Sequence, residues 1–377
     1  MGSGGLPRMA VGSASLRTRR WSVQEWLGNE AVWSGLVARS RADSLFLSWD
    51  WLTNWWHFFG DALGQDPDIL AFYRGADLVG LAPLYHRRLR RGGLLPTRSM
   101  QMMGLSWRDP ETLISEYLDV IAAPDDLDAV RDACMRVLLG EPGWTEFVIG
   151  FTTASAQWRE TYERCAASTP HYSRVLDRSV TYQADLSSGF AAYLGALRQS
   201  TRRSLWNLRR RLAVHGEVRL ELLTESNLES GFEDLNRLHQ LRWQKPAFSD
   251  ERLAFHLRLA RRLSARGELA LSRLRVGGGV VSVLYDIRKS QRQYNIKLGF
   301  DPDFSSQISL GLIHLGYAME SAAERGIGSY DFLAGPGRTS DFKRLLSQVR
   351  RELSCVQMLR GPLVSSLYRW RDRVRQP

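Results

Sequence analysis

Three apolar-rich runs follow one another with almost no intervening chain: Glu268–Val276, Val280–Arg288 and Gln293–Phe300, parted by Gly277–Gly279 and a short polar turn. Loops this short join antiparallel neighbours, because a parallel crossover needs a dozen residues or more. The stretch therefore reads as an antiparallel meander. A helix from about Ser309 to Arg325 follows, stopped by Gly326, then a strand Ser329–Leu333 and a short helix around Asp341–Leu346. Ahead of the meander, Leu194, Leu197, Leu205, Leu208 and Leu212 recur at spacings of three and four, with Thr201 in the one gap. This predicts a single amphipathic helix from Phe190 to Val214. A strand Val218–Leu223 and helices through Leu235–Trp243 and Leu253–Leu263 complete this half.

The first half repeats the order. Phe46–Phe59 is dense in aromatics at helical spacing and reads as a buried helix, capped by Ser48 or Asp50. Ile69–Tyr73 and Leu78–Tyr85 form a hairpin pattern, followed by a strand Tyr117–Ala122, a helix Leu127–Leu139 and a strand Glu146–Phe151. Leu84-Tyr85-His86-Arg87-Arg88 falls over Leu284-Tyr285-Asp286-Ile287-Arg288 when the hairpins are aligned. One mixed α/β (α+β) unit used twice is the expected architecture. The expected divisions are an unstructured 1–20, halves at 21–178 and 179–360, and a basic tail at 361–377.

Charge narrows the partners. Lys plus Arg number 51 against 40 acids, a net +11 over 377 residues, and only four of those cations are lysines: Lys245, Lys289, Lys297 and Lys343. Arginines gather at Arg87–Arg98, at Arg198–Arg211 and after Arg338, and each group is either an anion site or a solvated face. No helix-turn-helix, finger or zipper pattern accompanies them, so sequence-specific DNA binding is not indicated. No run reaches the ~20 apolar residues of a membrane span, and the polar start lacks the apolar core of a signal peptide. Cys134, Cys165 and Cys355 lie too far apart for a metal knuckle and are too few for a disulfide framework, which fits the reducing cytoplasm.

Particular strings then carry a resemblance. His239-Gln240-Leu241-Arg242-Trp243, Leu298-Gly299-Phe300-Asp301-Pro302, and Tyr330-Asp331-Phe332-Leu333-Ala334-Gly335 with Phe342-Lys343-Arg344 stand in the second half. In the first are Phe46-Leu47-Ser48-Trp49-Asp50-Trp51-Leu52 with Trp55-Trp56, and Leu78-Val79-Gly80-Leu81-Ala82-Pro83-Leu84-Tyr85. In order and spacing the set resembles the GNAT-type acetyltransferase family labelled CelD/BcsL, over roughly residues 40–350. The resemblance implies tandem GNAT-like halves, each a mixed, largely antiparallel sheet flanked by helices. The first would be degenerate and the second the acyltransferase. That family is distantly similar to Fem-type transferases, which set two GNAT-like halves side by side and use aminoacyl-tRNA in place of acyl-CoA.

A GNAT site needs a backbone donor for the acyl carbonyl, amides for a pyrophosphate and an acceptor for the nucleophile's proton. The resemblance assigns the first to Leu298 and Gly299, and the second to the loop and first helical turn at Ser305, Ser306, Gln307, Ser309 and Gly311. A typical GNAT turn carries an Arg or Gln before Gly-x-Gly or Gly-x-Ala, and this chain has serines and a single glycine there. Asp301 and Asp303 are expected to point outward, since inward they would repel phosphate. Proton-transfer candidates are Asp331, His239 and Tyr294. Against these stand plainer readings: Asp331 as a brace for Gly335–Gly337, His239 as packing, Tyr294 as core and Asp286 as surface. Lys343 suits a phosphate or a developing oxyanion, and Arg242, Trp243 and Tyr330 are expected against the acceptor.

The expected reaction moves an acyl group, acetyl in the first instance, from acyl-CoA to an amine or hydroxyl by direct attack in a ternary complex, without metal. The acceptor would be a small molecule or a glycan, envelope or secondary-metabolite precursor. No cysteine stands among the motif residues to carry an acyl intermediate. Two alternatives remain open: an aminoacyl-tRNA-dependent Fem-like transferase, lacking the inserted helical hairpin many of those carry, and a non-catalytic binding protein.

Overall fold

The computed structural model describes residues 16–63, 67–91, 95–107, 112–334 and 339–375. In the first half β1 (Arg17–Trp21), α1 (Val23–Gly28), α2 (Glu30–Ala38) and α3 (Trp49–Leu63) lead into β2 (Pro67–Arg74), β3 (Asp77–Arg91) and β4 (Leu95–Met102). The short β5 (Ile121–Ala122), α4 (Leu127–Gly140), β6 (Glu146–Thr152), α5 (Ser155–Cys165) and β7 (His171–Asp185) follow. The second half begins with α6 (Phe190–Ala196), α7 (Gln199–Arg202) and α8 (Arg209–Leu212), then β8 (Val218–Leu222), α9 (Leu228–Trp243) and α10 (Asp250–Ala265). The meander is β9 (Leu269–Val276), β10 (Gly279–Lys289) and β11 (Arg292–Phe300), and after it come α11 (Leu310–Glu324) and β12 (Ser329–Asp331). α12 (Thr339–Leu345), β13 (Val349–Arg360) and α13 (Pro362–Arg375) close the chain.

One sheet runs through everything, in the order β1-β2-β3-β4-β6-β13-β7-β12-β11-β10-β9-β8. The order is a palindrome of equivalent elements: β8 to β12 mirror β1 to β6, with α11 standing where α4 does and β10 where β3 does. The duplication expected from Leu84–Arg88 and Leu284–Arg288 is therefore an architectural fact. At the centre each half gives its last strand away. β7 pairs with β12 through Ser329↔Asp185 to Asp331↔Gln183, while β13 pairs with β6 through Leu359↔Glu146. β7 and β13 then pair with each other from Val349↔Gln183 to Arg360↔His171. The boundary expected at 178/179 falls inside β7, and the expected basic tail is a helix packed on β7 and β13.

Helix α3 forms because Ser48 caps it, its Oγ accepting from the Trp51 amide at 3.2 Å, and because its aromatics bury themselves. Trp51, Trp55 and Phe59 are core, and Trp51 meets Phe255 of α10 edge-on at 5.2 Å. Asn54 donates to the Phe255 carbonyl at 3.0 Å and Arg266 to Asp50 at 2.7 Å, so α3 docks on α10 by polar as well as apolar contacts. None of the described helices is long and apolar enough to cross a membrane.

Several expectations need correction. Arg17–Trp21 is an edge strand on β2, so residues 17–20 of the span read as unstructured belong to the sheet. The single helix Phe190–Val214 is broken at Leu197 and Arg198, both extended, and Arg203–Asn207 is a π-helical turn. The strand Tyr117–Ala122 shrinks to Ile121–Ala122, because Tyr117 takes a left-handed conformation at φ 57°. Asp286, read as surface, is fully buried.

The π turn lies hard against α11. A Cβ on Gly316 would sit 2.5 Å from the Leu205 carbonyl oxygen. Helix propensity alone makes Gly316→Ala stabilising by about 1 kcal/mol, but a backbone oxygen cannot rotate away as a side chain can. The overpacking cost of about 1–3 kcal/mol wins. A lowered unfolding midpoint is the expected result, and a raised one refutes this reading of the crossing.

Candidate active site

β11 and β12 pair only over Arg292–Tyr294 and Ser329–Asp331, and beyond that point they part. Two local features make the gap. On β11 the register against β10 steps from Tyr285↔Lys297 to Asp286↔Asn295, so Ile296 is an extra residue, and such a bulge leaves peptide groups outside the ladder. On β12 the chain turns out of the sheet at Leu333, a non-glycine residue at φ 56°. Three groups hold this turn: Asp331 Oδ1 accepts from the Leu333 amide at 2.9 Å, Lys343 Nζ donates to the Leu333 carbonyl at 3.0 Å, and Glu116 accepts from the Ala334 amide at 3.0 Å.

These bonds reassign two candidates. Asp331 is fully buried and also accepts from Tyr117 Oη at 2.7 Å, Gln183 Nε2 at 2.8 Å and Thr181 Oγ1 at 3.0 Å, with Arg292 Nη1 at 3.7 Å. A carboxylate so fully engaged is a structural hub; the brace it supplies is at Leu333, and Gly335–Gly337 lies outside the described residues. Tyr294 stands in the paired part of β11. It donates to Asp43 Oδ2 at 2.9 Å, with Ser44 Oγ at 3.1 Å, so it serves the seam between the halves and not the gap. Tyr330 is likewise turned inward, its hydroxyl donating to Asp286 Oδ2 at 2.6 Å. Burial pushes Asp286 up to about 6, against the lowering effect of its bonds from Tyr330, Asn295 and Gln293.

Lys343 is buried, and Ala334 O is a second acceptor at 3.2 Å. Burial pulls its ammonium down to about 8, opposed by the charges of Glu116 and Asp331 and assisted by Lys297. Glu116 comes from the first half and keeps part of its surface in solvent; desolvation, then the Asp331 charge, raises its carboxyl to about 8. Lys343 is thus first a clamp on the strand end.

His239 sits on α9, which packs across β11 near Gly299; a Cβ on Gly299 would be 3.1 Å from the Leu235 oxygen. Its Nδ1 lies 2.9 Å from the Lys245 carbonyl, which fixes the ring proton there and leaves Nε2 as the lone pair. Among the described residues nothing bonds Nε2. Burial holds the imidazole below its usual 6.5; the Lys245 bond opposes this, and Lys297, Lys245 and Arg242 add to it. Trp243 is well exposed with its ring centroid 6.4 Å from that of His239, while the Arg242 guanidinium lies over Phe300 at 4.4 Å. His239, Arg242 and Trp243 all stand on α9, which packs along β11.

At the far end of β11 the loop 301–309 turns on itself, Asp301 Oδ1 accepting from the Asp303 amide at 2.9 Å and Ser305 Oγ from the Gln307 amide at 3.2 Å. Ser309 caps α11 without a side-chain bond, so the first amides of a 15-residue helix remain open. Gly311 is there for packing, since a Cβ would meet the Phe300 ring at 2.9 Å. A cavity of about 450 Å³ beside this loop is lined by Ser200, Arg203, Ser204, Leu208, Arg211 and Gln307. An apolar one of about 190 Å³, with Leu312, Phe342 and Leu346, shares Ser200 and Ser204.

The matching end of the first half is closed to anions. Asp126 stands at the N-cap of α4 without a side-chain capping bond, Asp128 lies in the first turn, and Leu105 fills the space against Gly150 of β6. Among the described residues Asp68, His86 and Glu141 have the spacing of metal ligands, but Arg20 pairs with both acids and fills the place of an ion.

Bulge, parted strands and a helix terminus without a side-chain cap stand together in the second half. Residues 199–344 match the acetyltransferase (GNAT) domain. The match begins at α7 and ends one residue after Lys343. The whole chain also resembles the crystal structure of FemX, at 11% identity over 90% of this chain and 96% of that one, with a TM-score of 0.59. A conserved protein of Bacteroides thetaiotaomicron VPI-5482 is similar at 11% identity over 92% and 100% of the two chains, TM-score 0.56. At such identities the likeness is one of fold. Comparison with curated proteins finds no match.

Sequence reasoning missed Glu116, Asp43, Arg292, Thr181 and Gln183. Glu116 and Tyr117 were hidden in a segment whose alternation reads as strand, and the left-handed turn at Tyr117 leaves no compositional trace.

Proposed function

We propose that the chain is a CelD/BcsL-like cytoplasmic acyltransferase that transfers an acyl group, acetyl in the first instance, from acyl-CoA to an amine or hydroxyl acceptor. What supports this reading is the bulged, open stretch of β11 leading through the loop 301–309 to a helix terminus without a side-chain cap, with Arg203 and Arg211 lining a cavity beside Gln307 of that loop. Phosphates are anions for which open amides and two guanidiniums are suitable partners, and the Asp301 carboxylate nearby is tied into the loop's own turn. The apolar cavity continues toward α12 and suits the less polar part of such a donor.

In the reaction the acceptor's N–H or O–H loses its proton to His239 Nε2 as the nucleophile forms its bond to the acyl carbon. The thioester C–S bond breaks and the sulfur leaves as thiolate. Peptide N–H groups freed by the bulge at Ile296, next to Leu298 and Gly299, are placed for the carbonyl oxygen. Arg242 and Trp243 border the acceptor's approach, and Lys343 positions the β12 end.

Isothermal titration with acetyl-CoA tests the donor. Binding by the unaltered protein is expected, with Arg203→Ala and Arg211→Ala each weakening it about tenfold, the loss of one charge-assisted contact. No binding at millimolar donor overturns the CoA reading. The exposed Arg198, Arg203, Arg210 and Arg211, two of which line the same cavity, favour one second reading, an aminoacyl-tRNA donor. That reading predicts tRNA binding that weakens steeply with salt.

A further inference from the structure

Helix α13 carries two apolar faces, and the fold uses only one. Val364 and Tyr368 pack inward with Leu359 of β13 and Tyr172 of β7. On the other side Leu363, Leu367, Trp370 and Val374 are 85, 51, 64 and 66% exposed. Their spacing of four, three and four places all four within one narrow stripe about 16 Å long. A row of large apolar side chains in water is unfavourable unless something covers it.

The charges beside the stripe indicate what covers it. On one flank are Arg369, whose Nη2 donates to the His171 carbonyl at 2.9 Å, and the exposed Arg373. On the other is Arg371, lying over the Tyr368 ring at 4.3 Å. The helix has one acid, Asp372, and it faces the protein, with Arg174 Nε at 2.6 Å and the Tyr172 hydroxyl at 3.2 Å. The outward surface is therefore apolar along its centre and cationic along both edges. A second copy packed on this face would bring arginine against arginine.

We propose that α13 is a membrane-surface helix, docking the folded protein on an anionic lipid bilayer with Leu363, Leu367, Trp370 and Val374 in the boundary between headgroups and acyl chains. Trp370 has the residue type that partitions to this boundary, and the flanking arginines meet lipid phosphates. The helix lies in the plane of the surface, because its inner face stays packed on the sheet. This docking is independent of which donor the GNAT domain takes.

Flotation of the full chain with vesicles tests the proposal, comparing phosphatidylcholine alone with phosphatidylcholine containing roughly one-third phosphatidylglycerol. The protein should float with the anionic vesicles and at least about tenfold less with the neutral ones, and binding should fall as salt rises. Leu367→Ser with Trp370→Ser should reduce flotation about tenfold or more while leaving the thermal midpoint unchanged, since both side chains point into solvent. Equal flotation by the double variant, or none by the unaltered protein, overturns the proposal. So does a dimer in solution that the same double substitution turns into a monomer, because the stripe would then belong to a second copy.

Discussion

With His239 as the base proposed above, His239→Ala is expected to lower kcat by about 10²- to 10³-fold while leaving the affinity for acyl donor unchanged. Removing a general base acts on the transition state and not on donor binding. Nε2 is the lone pair that would accept the nucleophile's proton, and the bond from Nδ1 to the Lys245 carbonyl keeps it so. The pH profile gives a second reading of the same group. A base works when neutral, and burial plus the neighbouring cations hold this imidazole below 6.5, so activity falls only as pH drops through that lowered value. Lys297→Met removes one of those cations, raises the imidazole's pKa and moves the acid limb to higher pH. Undiminished kcat in His239→Ala, or an acid limb indifferent to Lys297, assigns the proton transfer elsewhere.

Asp331→Ala is the second large effect, and it falls on stability. The substitution strips an acceptor from Tyr117, Thr181, Gln183 and the Leu333 amide at once. Buried donors left unpaired cost about 1–3 kcal/mol each when nothing replaces the partner. Partial relaxation brings the total to about 3–5 kcal/mol, the range for a broken buried network. Asp331→Asn keeps the shape and part of the bonding and should fall between, with turnover per folded molecule within about tenfold of the unaltered enzyme. Calorimetry ranks the three midpoints. An Asp331→Ala protein as stable as the original but without turnover would restore Asp331 as the base.

Much of the fold was legible because it follows from local rules. The tight turns at Gly277–Gly279 and Arg74–Asp77 fixed two hairpins, and the apolar spacing of α4 and α11 fixed two helices. What failed was non-local. Leu197 and Arg198 break a helix whose apolar spacing is nearly continuous, because the chain must pass from one packing surface to another. Val349–Arg360, with Arg350, Arg351 and Glu352 together, shows no strand pattern at its start and has no element expected of it, yet its later residues are fully buried between β6 and β7. The site divided along the same line. His239 and the α11 terminus stand where the order of elements puts them, because their neighbours in sequence are their neighbours in space. Asp331, Tyr294 and Tyr330 were misjudged because their partners, Thr181, Asp43 and Asp286, lie on other strands or in the other half.

The exchange of last strands sets an order of events during synthesis. β6 has no partner on one side until β13 emerges, and Leu359 must find Glu146 across more than half the chain. Until then β6 and β7 expose bare edges of the kind that recruit other nascent chains. Pairings of such long range are slow to form. The second half can assemble its meander and helices first, but the sheet that joins the halves is completed only when β13, which follows them in the chain, pairs with β6 and β7. Chaperone dependence and a tendency to aggregate on rapid expression are the physical consequences of a fold closed so late.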